Sequence, residues 1–334
     1  MGRFSSLVRN AGRRMPLPIA TYPAIALTGN TVTQLVTDAR LQEEAQLTLH
    51  RHLKTDVLLT CMDLSVEAEA FGAAVRFSET EVPSVTGRRV TTLDEIESLQ
   101  QPSPGDGRTH VYIETVRRLH EKSEGRPVIA GMIGPFSLAG RLFGVSECLL
   151  ATAEEPEVVD SLLEKTMAFL LAYANAMKAA GADGVLIAEP TAGLLSPRAL
   201  GNFSSARVKE IIDGVQDESF DVILHNCGAS APHLEFLRQS GAGIFHFGAP
   251  MDIVAALQKL SPNAVVCGNL DPAGVFVQSS PEEVRQKTKL LLDATRNSPL
   301  FVPSSGCDIP AATALENIEA FMTAVKRTGD VRER

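Results

Sequence analysis

The sequence lacks an apolar run approaching the roughly 20 residues that a membrane-crossing helix needs. Its opening, MGRFSSLVRNAGRRMP, carries arginines but no apolar segment of the signal-peptide kind. These two absences predict a cytoplasmic protein without a membrane partner. There is no basic excess either: 31 Lys and Arg stand against 40 Asp and Glu, for a formal net charge of −9. Without a cationic stripe to track phosphates, nucleic acid is not an expected partner. No G-x-G-x-x-G follows an apolar run, which argues against a dinucleotide-binding sheet. Low-complexity tracts, repeats of solenoid period and an interdomain linker are also missing. Cysteines are few and odd in number, at 61, 148, 227, 267 and 307. That count in a long chain argues against a disulfide framework and turns attention to metal binding or catalysis. Each thiol still has to be judged by its place, because free cysteine is often only a small buried hydrophobe.

What is present is enough apolar residue to bury a large core, 44% of the 334 residues. Eight short apolar runs alternate with amphipathic segments, at 17–27, 57–61, 128–133, 184–188, 221–224, 243–247, 264–266 and 300–302. That alternation is expected of parallel strands joined by crossover helices. The segment 156–180 is the clearest helix, with Gly181 as its C-terminal stop. Eight such units close most simply into an α/β fold of (β/α)8 type, a TIM barrel, which typically needs about 250 residues. The surplus is assigned to an N-terminal extension of about residues 1–15 and an insertion of about 71–125 after the second run, all within one domain, 1–334. An open doubly wound sheet is the structural alternative.

In a parallel barrel the chemistry sits at the C-terminal ends of the strands. Several apolar runs end in polar residues there: CMDLSVEAEAFG, IAEPTAG, LHNCGAS, VCGNLDP and PSSGCDIP. In LHNCG, His225 and Cys227 lie two apart, and alternate strand residues point the same way, so one metal can take both. Cys307 follows an apolar run in an equivalent place, within reach if the sheet closes. One His and two Cys form an incomplete zinc set with a position left for water or substrate. A metal-bound thiol would be deprotonated outright. The bland alternative is a pair of packed residues at a strand end.

Asp63 ends the second run, with Glu67 and Glu69 on a helix beyond, where acids commonly serve as caps. Glu189 enters the mouth directly after GVLIA, as a fourth ligand, as a partner behind the ligands or as a general acid. Asp271 in GNLDP is read as a cap or a strand-end acid. His50, His52, His110 and His120 fall in polar helical segments and His233 at a helix start. His246 in GIFHFG reads as a satisfied core residue before it reads as a ligand. Cys267 is the substitute ligand should Cys307 lie elsewhere.

Taken in order, MDLSVEAEAFGA, GADGVLIAEPTAGLLSP, LHNCG, GNLDP and SSGCDIP resemble the uroporphyrinogen decarboxylase superfamily, and specifically its cobamide-dependent methyltransferase branch. The resemblance covers nearly the whole chain. It implies a zinc enzyme with a (β/α)8 barrel, and it matches the branch's H-x-C and later Cys ligands to His225, Cys227 and Cys307. The implied reaction moves a methyl group from methylcobamide to a thiol such as coenzyme M, with Asp63 and Glu189 orienting the thiol or taking its proton. The chain has no D-x-H-x-x-G, the corrinoid-binding signature by the same resemblance, so a separate corrinoid protein is the expected partner. A homo-oligomer is left open. The decarboxylase branch is the alternative, weakened because PLPIATYPAIALTGN stands where those enzymes carry arginines for substrate carboxylates. A further alternative is a barrel that holds a corrinoid or thiol without turnover.

Overall fold

The computed structural model describes residues 2–260, 262 and 264–327. Seven parallel strands form one sheet: β1 (Leu58–Leu59), β4 (Val128–Ile133), β5 (Gly184–Ala188), β6 (Asp221–Asn226), β7 (Ile244–Phe247), β8 (Val265–Leu270) and β9 (Phe301–Ser305), paired in that order. Between β1 and β4 the chain forms an antiparallel hairpin, β2 (Ala74–Arg76) with β3 (Ser84–Thr86), and the helices Leu93–Ser98 and Thr109–Glu121. Strands β4 to β7 are buried at every residue, the continuous apolar pattern of a sheet covered on both faces. The helix Pro156–Ala179 packs a stripe of Val159, Leu162, Leu163, Phe169, Leu170 and Tyr173 against the sheet at helical spacing. Beyond its last residue Gly181 takes φ of 105°, a conformation an L side chain resists.

The sheet is curled. Val57, Ile129, Leu186, Ile223, Ile244, Val265 and Val302, from or beside all seven strands, pack into one apolar cluster that includes residues from both sheet edges. A flat sheet would keep those edges far apart. Helix Arg3–Asn10 joins the same cluster through Phe4 and Val8. Its first turn is held by the Asp221 carboxylate at the start of β6, which accepts from the backbone amides of Gly2 and Ser5 and from the Ser5 hydroxyl.

The first apolar run, 17–27, is not a strand, and this corrects the expectation of eight. Pro16, Pro18 and Pro23 lack the amide hydrogens that a ladder requires. The segment instead runs irregularly beside β9, with Leu17 N–H donating to the Pro303 carbonyl (2.9 Å) and Ile19 N–H to Ser305 Oγ (2.9 Å). It then coils into helical turns at Tyr22–Ala24 and Ile25–Thr28. Among the described residues no single helix is long and apolar enough to cross a membrane.

Candidate metal centre

Strand β6 extends two residues beyond the expected run, so His225 is its last residue but one and Cys227 follows immediately. The pairing register places Ala188, His225, His246, Cys267 and Val302 side by side across β5 to β9. The ligand atoms of His225, Cys227 and Cys307 lie within 4.8 Å of one another, with His225 buried and both cysteines half-buried. In a flat sheet, strands separated as β6 and β9 are would stand about 14 Å apart. The curl closes part of that gap and two glycines close the rest. A Cβ on Gly248 would come within 2.1 Å of the Cys227 carbonyl oxygen, and one on Gly306 within 2.8 Å of the Ala249 nitrogen. The backbones after β6, β7 and β9 are thus stacked more tightly than any side chain would permit. The spacing of H-x-C was legible in the sequence; the two glycines that bring Cys307 to it were not singled out.

Two thiols this close share a proton unequally. Hydrogen bonding from Cys307 pulls the Cys227 thiol down to about 7. The same contact, with burial, pushes Cys307 up to about 12. Of the pair, Cys227 is the thiol that gives up its proton more readily and Cys307 the one that holds it.

Behind the trio lies a chain of polar contacts. His225 Nδ1 meets His246 Nδ1 at 2.8 Å, His246 Nε2 meets Ser304 Oγ at 2.8 Å, and the Ser304 hydroxyl donates to the Leu17 carbonyl. All four residues are buried. Burial first, and the neighbouring His225 second, push the His246 pKa well below its usual range. His246 is therefore the satisfied interior residue expected, but what satisfies it is a metal-ligand candidate.

The two acids picked as catalytic stand outside this group; no further His, Cys, Asp or Glu joins it at that spacing among the described residues. Glu189 is buried at the end of β5 and accepts from Phe136 N–H (3.0 Å), Ser137 N–H (2.9 Å) and the Ser137 hydroxyl (2.6 Å), at the amino end of helix Pro135–Phe143. Burial raises its pKa although these donors oppose the rise. Asp63 accepts from Ser65 N–H and hydroxyl and from Arg108 Nη1 at 2.5 Å. Arg108 also reaches Glu69 and Ser65. It lies in 71–125, which sequence reasoning treated as an excursion, so its return to Asp63 was missed. Glu67 accepts from Ile133 N–H, and burial lifts its carboxyl to about 8. Asp271 caps the helical turn Pro272–Val277, its side chain accepting from the Ala273 and Gly274 amides. Cys267 is fully buried in the interior cluster and outside the trio, with burial raising its thiol above the usual range.

Comparisons with known proteins agree with this architecture. A family model described as Uroporphyrinogen decarboxylase (URO-D) matches residues 6–328. The Methylcobamide:CoM methyltransferase MtbA of Methanosarcina acetivorans is 29% identical over 325 residues, covering 92% of this chain and 94% of that protein. A uroporphyrinogen decarboxylase of Psychromonas ingrahamii is 26% identical, with 96% and 91% covered. Among solved structures, a methyltransferase from Methanosarcina mazei superposes with a TM-score of 0.85 at 23% identity, covering 94% of each chain.

Proposed function

This chain belongs to the uroporphyrinogen decarboxylase (URO-D) family, and within it we propose a zinc-dependent methyltransferase that moves a methyl group from a methylated corrinoid, carried on a separate protein, to a small thiol such as coenzyme M. The observation that carries this reading is the convergence of one imidazole and two thiols within 4.8 Å at the carboxyl end of the sheet. Such a donor set suits zinc and leaves a position for an acceptor sulfur. His225, Cys227 and Cys307 would hold the ion, and zinc bound there would keep the acceptor sulfur as thiolate at neutral pH. The protein's part in loading is to release protons: Cys227 gives one up readily, Cys307 only to a cation.

In the transfer, the acceptor sulfur supplies the electron pair of the new S–CH3 bond, while the pair of the breaking Co–C bond stays with cobalt. The thiol proton must leave first. Glu189 and Asp63 are retained as residues that orient the acceptor or take that proton, although their oxygens are already engaged by Phe136, Ser137, Ser65 and Arg108. The MtbA relative is named for methylcobamide and CoM, and 94% of it is covered. In the same reading, the seven strands form a TIM-type barrel of one domain, with the irregular segment 17–19 lying beside β9 where an eighth strand would stand.

The decarboxylase reading draws on relatives such as that of Psychromonas ingrahamii, but it needs cations for many carboxylates, and residues 15–39 hold no Lys or Arg. The deciding experiment incubates the zinc-loaded protein with methylcobalamin and a panel of thiols and follows the visible spectrum of the corrinoid. Loss of that spectrum with at least one thiol is expected, and Cys227→Ser or Cys307→Ser should abolish it together with zinc binding. Turnover of uroporphyrinogen with no thiol methylation would move the assignment to the decarboxylase. Corrinoid or thiol binding without turnover would leave a carrier.

A further inference from the structure

We propose that His246 and Ser304 are positioning residues that fix the tautomer of His225, so that its Nε2 presents a lone pair to the metal. The inference rests on the zinc reading above and assigns roles to two residues outside the ligand set. His225, His246, Ser304 and Leu17 form one hydrogen-bonded chain along which each proton has a single place.

The Leu17 carbonyl at the far end can only accept. The Ser304 hydroxyl proton therefore points to Leu17, and the Ser304 oxygen is left to accept from its other neighbour. That neighbour is His246 Nε2 at 2.8 Å, which must carry the ring proton. A neutral imidazole with its proton on Nε2 has a bare Nδ1. Bare Nδ1 of His246, 2.8 Å from His225 Nδ1, accepts the proton carried there. His225 then has its proton on Nδ1 and a free pair on Nε2, the form needed to ligate a cation. The opposite polarity would leave the Ser304 and Leu17 oxygens in contact with no proton between them, and it would aim an N–H of His225 at the two cysteines.

The fold supplies the reach. His225 and His246 are direct register partners on β6 and β7, and Cys267 next to them on β8 is small. His246 can thus extend over β8 to Ser304, two residues beyond Val302 on β9. Leu17 lies on the proline-bearing segment beside that strand.

The first measurement needs no variant and no metal. In the full chain with ring-nitrogen-15 histidine and zinc stripped, the long-range proton–nitrogen correlation of His225 should show a protonated Nδ1 and a bare Nε2. The second is zinc affinity by competition with a chromogenic chelator. His246→Phe and Ser304→Ala should each raise the zinc dissociation constant by about 10- to 100-fold. His246→Asn, which can place a carbonyl oxygen where Nδ1 was, should recover most of the loss. A proton on Nε2 of His225 in the unmutated chain overturns the proposal. So does unchanged zinc affinity in both His246→Phe and Ser304→Ala. If the unmutated chain binds no zinc, the metal reading falls, while the nitrogen spectrum still decides the tautomer. Should the variants fail to fold, that spectrum again decides.

Discussion

Asp63 and Arg108 are the most enclosed ion pair described, with side chains 0% and 8% exposed. Their attraction is worth less than the penalty of leaving either one alone, because a single buried charge has no solvent to turn to. Arg108→Leu is therefore expected to lower the free energy of unfolding by about 3–5 kcal/mol, measured in urea. Asp63→Asn added to it should return part of that loss, which a double-mutant cycle will register. Glu67 makes the opposite kind of prediction. Its carboxyl rises from the usual 4.5 to about 8 on folding, with burial as the main cause. The folded state thus holds the proton more tightly than the unfolded chain. Its contribution to stability is complete below about pH 4.5 and is lost as pH climbs to about 8. Glu67→Gln, which has no proton to lose, should gain stability relative to the unmutated protein across that window, read as a widening gap in denaturation midpoints.

Between elements, the stacked backbones at Cys227, Gly248 and Gly306 matter more than any one hydrogen bond. Gly248→Ala would force a methyl group to 2.1 Å from the Cys227 carbonyl oxygen. The turn must move, and Cys227 with it. Weakened zinc binding with only modest loss of secondary structure is the expected outcome, checked by metal titration beside circular dichroism. At the other end of the sheet, Asp221→Ala removes an acceptor from two amides and a hydroxyl at the start of helix Arg3–Asn10. That helix should fray, at a cost of about 1–2 kcal/mol, and hydrogen exchange at residues 4–8 should speed up. These element-level features explain which parts of the fold were legible beforehand. Runs such as 128–133 and 184–188 coincide with strands because fully buried parallel strands are apolar throughout. The run 17–27 looked the same by composition, yet its prolines decided its backbone. H-x-C was visible because it is local. The Asp63 to Arg108 pair and the His246 to Ser304 contact were not, because each joins residues that only the topology brings together.

For the whole molecule, zinc is expected to act as a ligand of the native state alone, since His225, Cys227 and Cys307, its candidate ligands, are scattered in the unfolded chain. At a free zinc concentration 100 times the dissociation constant, stabilisation of about 2.7 kcal/mol should appear as a raised melting temperature. Cys307→Ser should remove that rise. The curl of the sheet and the approach of the segment after β9 to the end of β6 are two sides of one closure. That closure also sets a schedule for synthesis. Leu17 emerges early, His225 and Cys227 follow much later, and Cys307 comes after the last sheet strand has been made. A nascent chain that has not yet reached Cys307 therefore has no complete set of candidate ligands, however well its earlier strands have collapsed. Truncated products ending before β9 should therefore be unable to take zinc at this site.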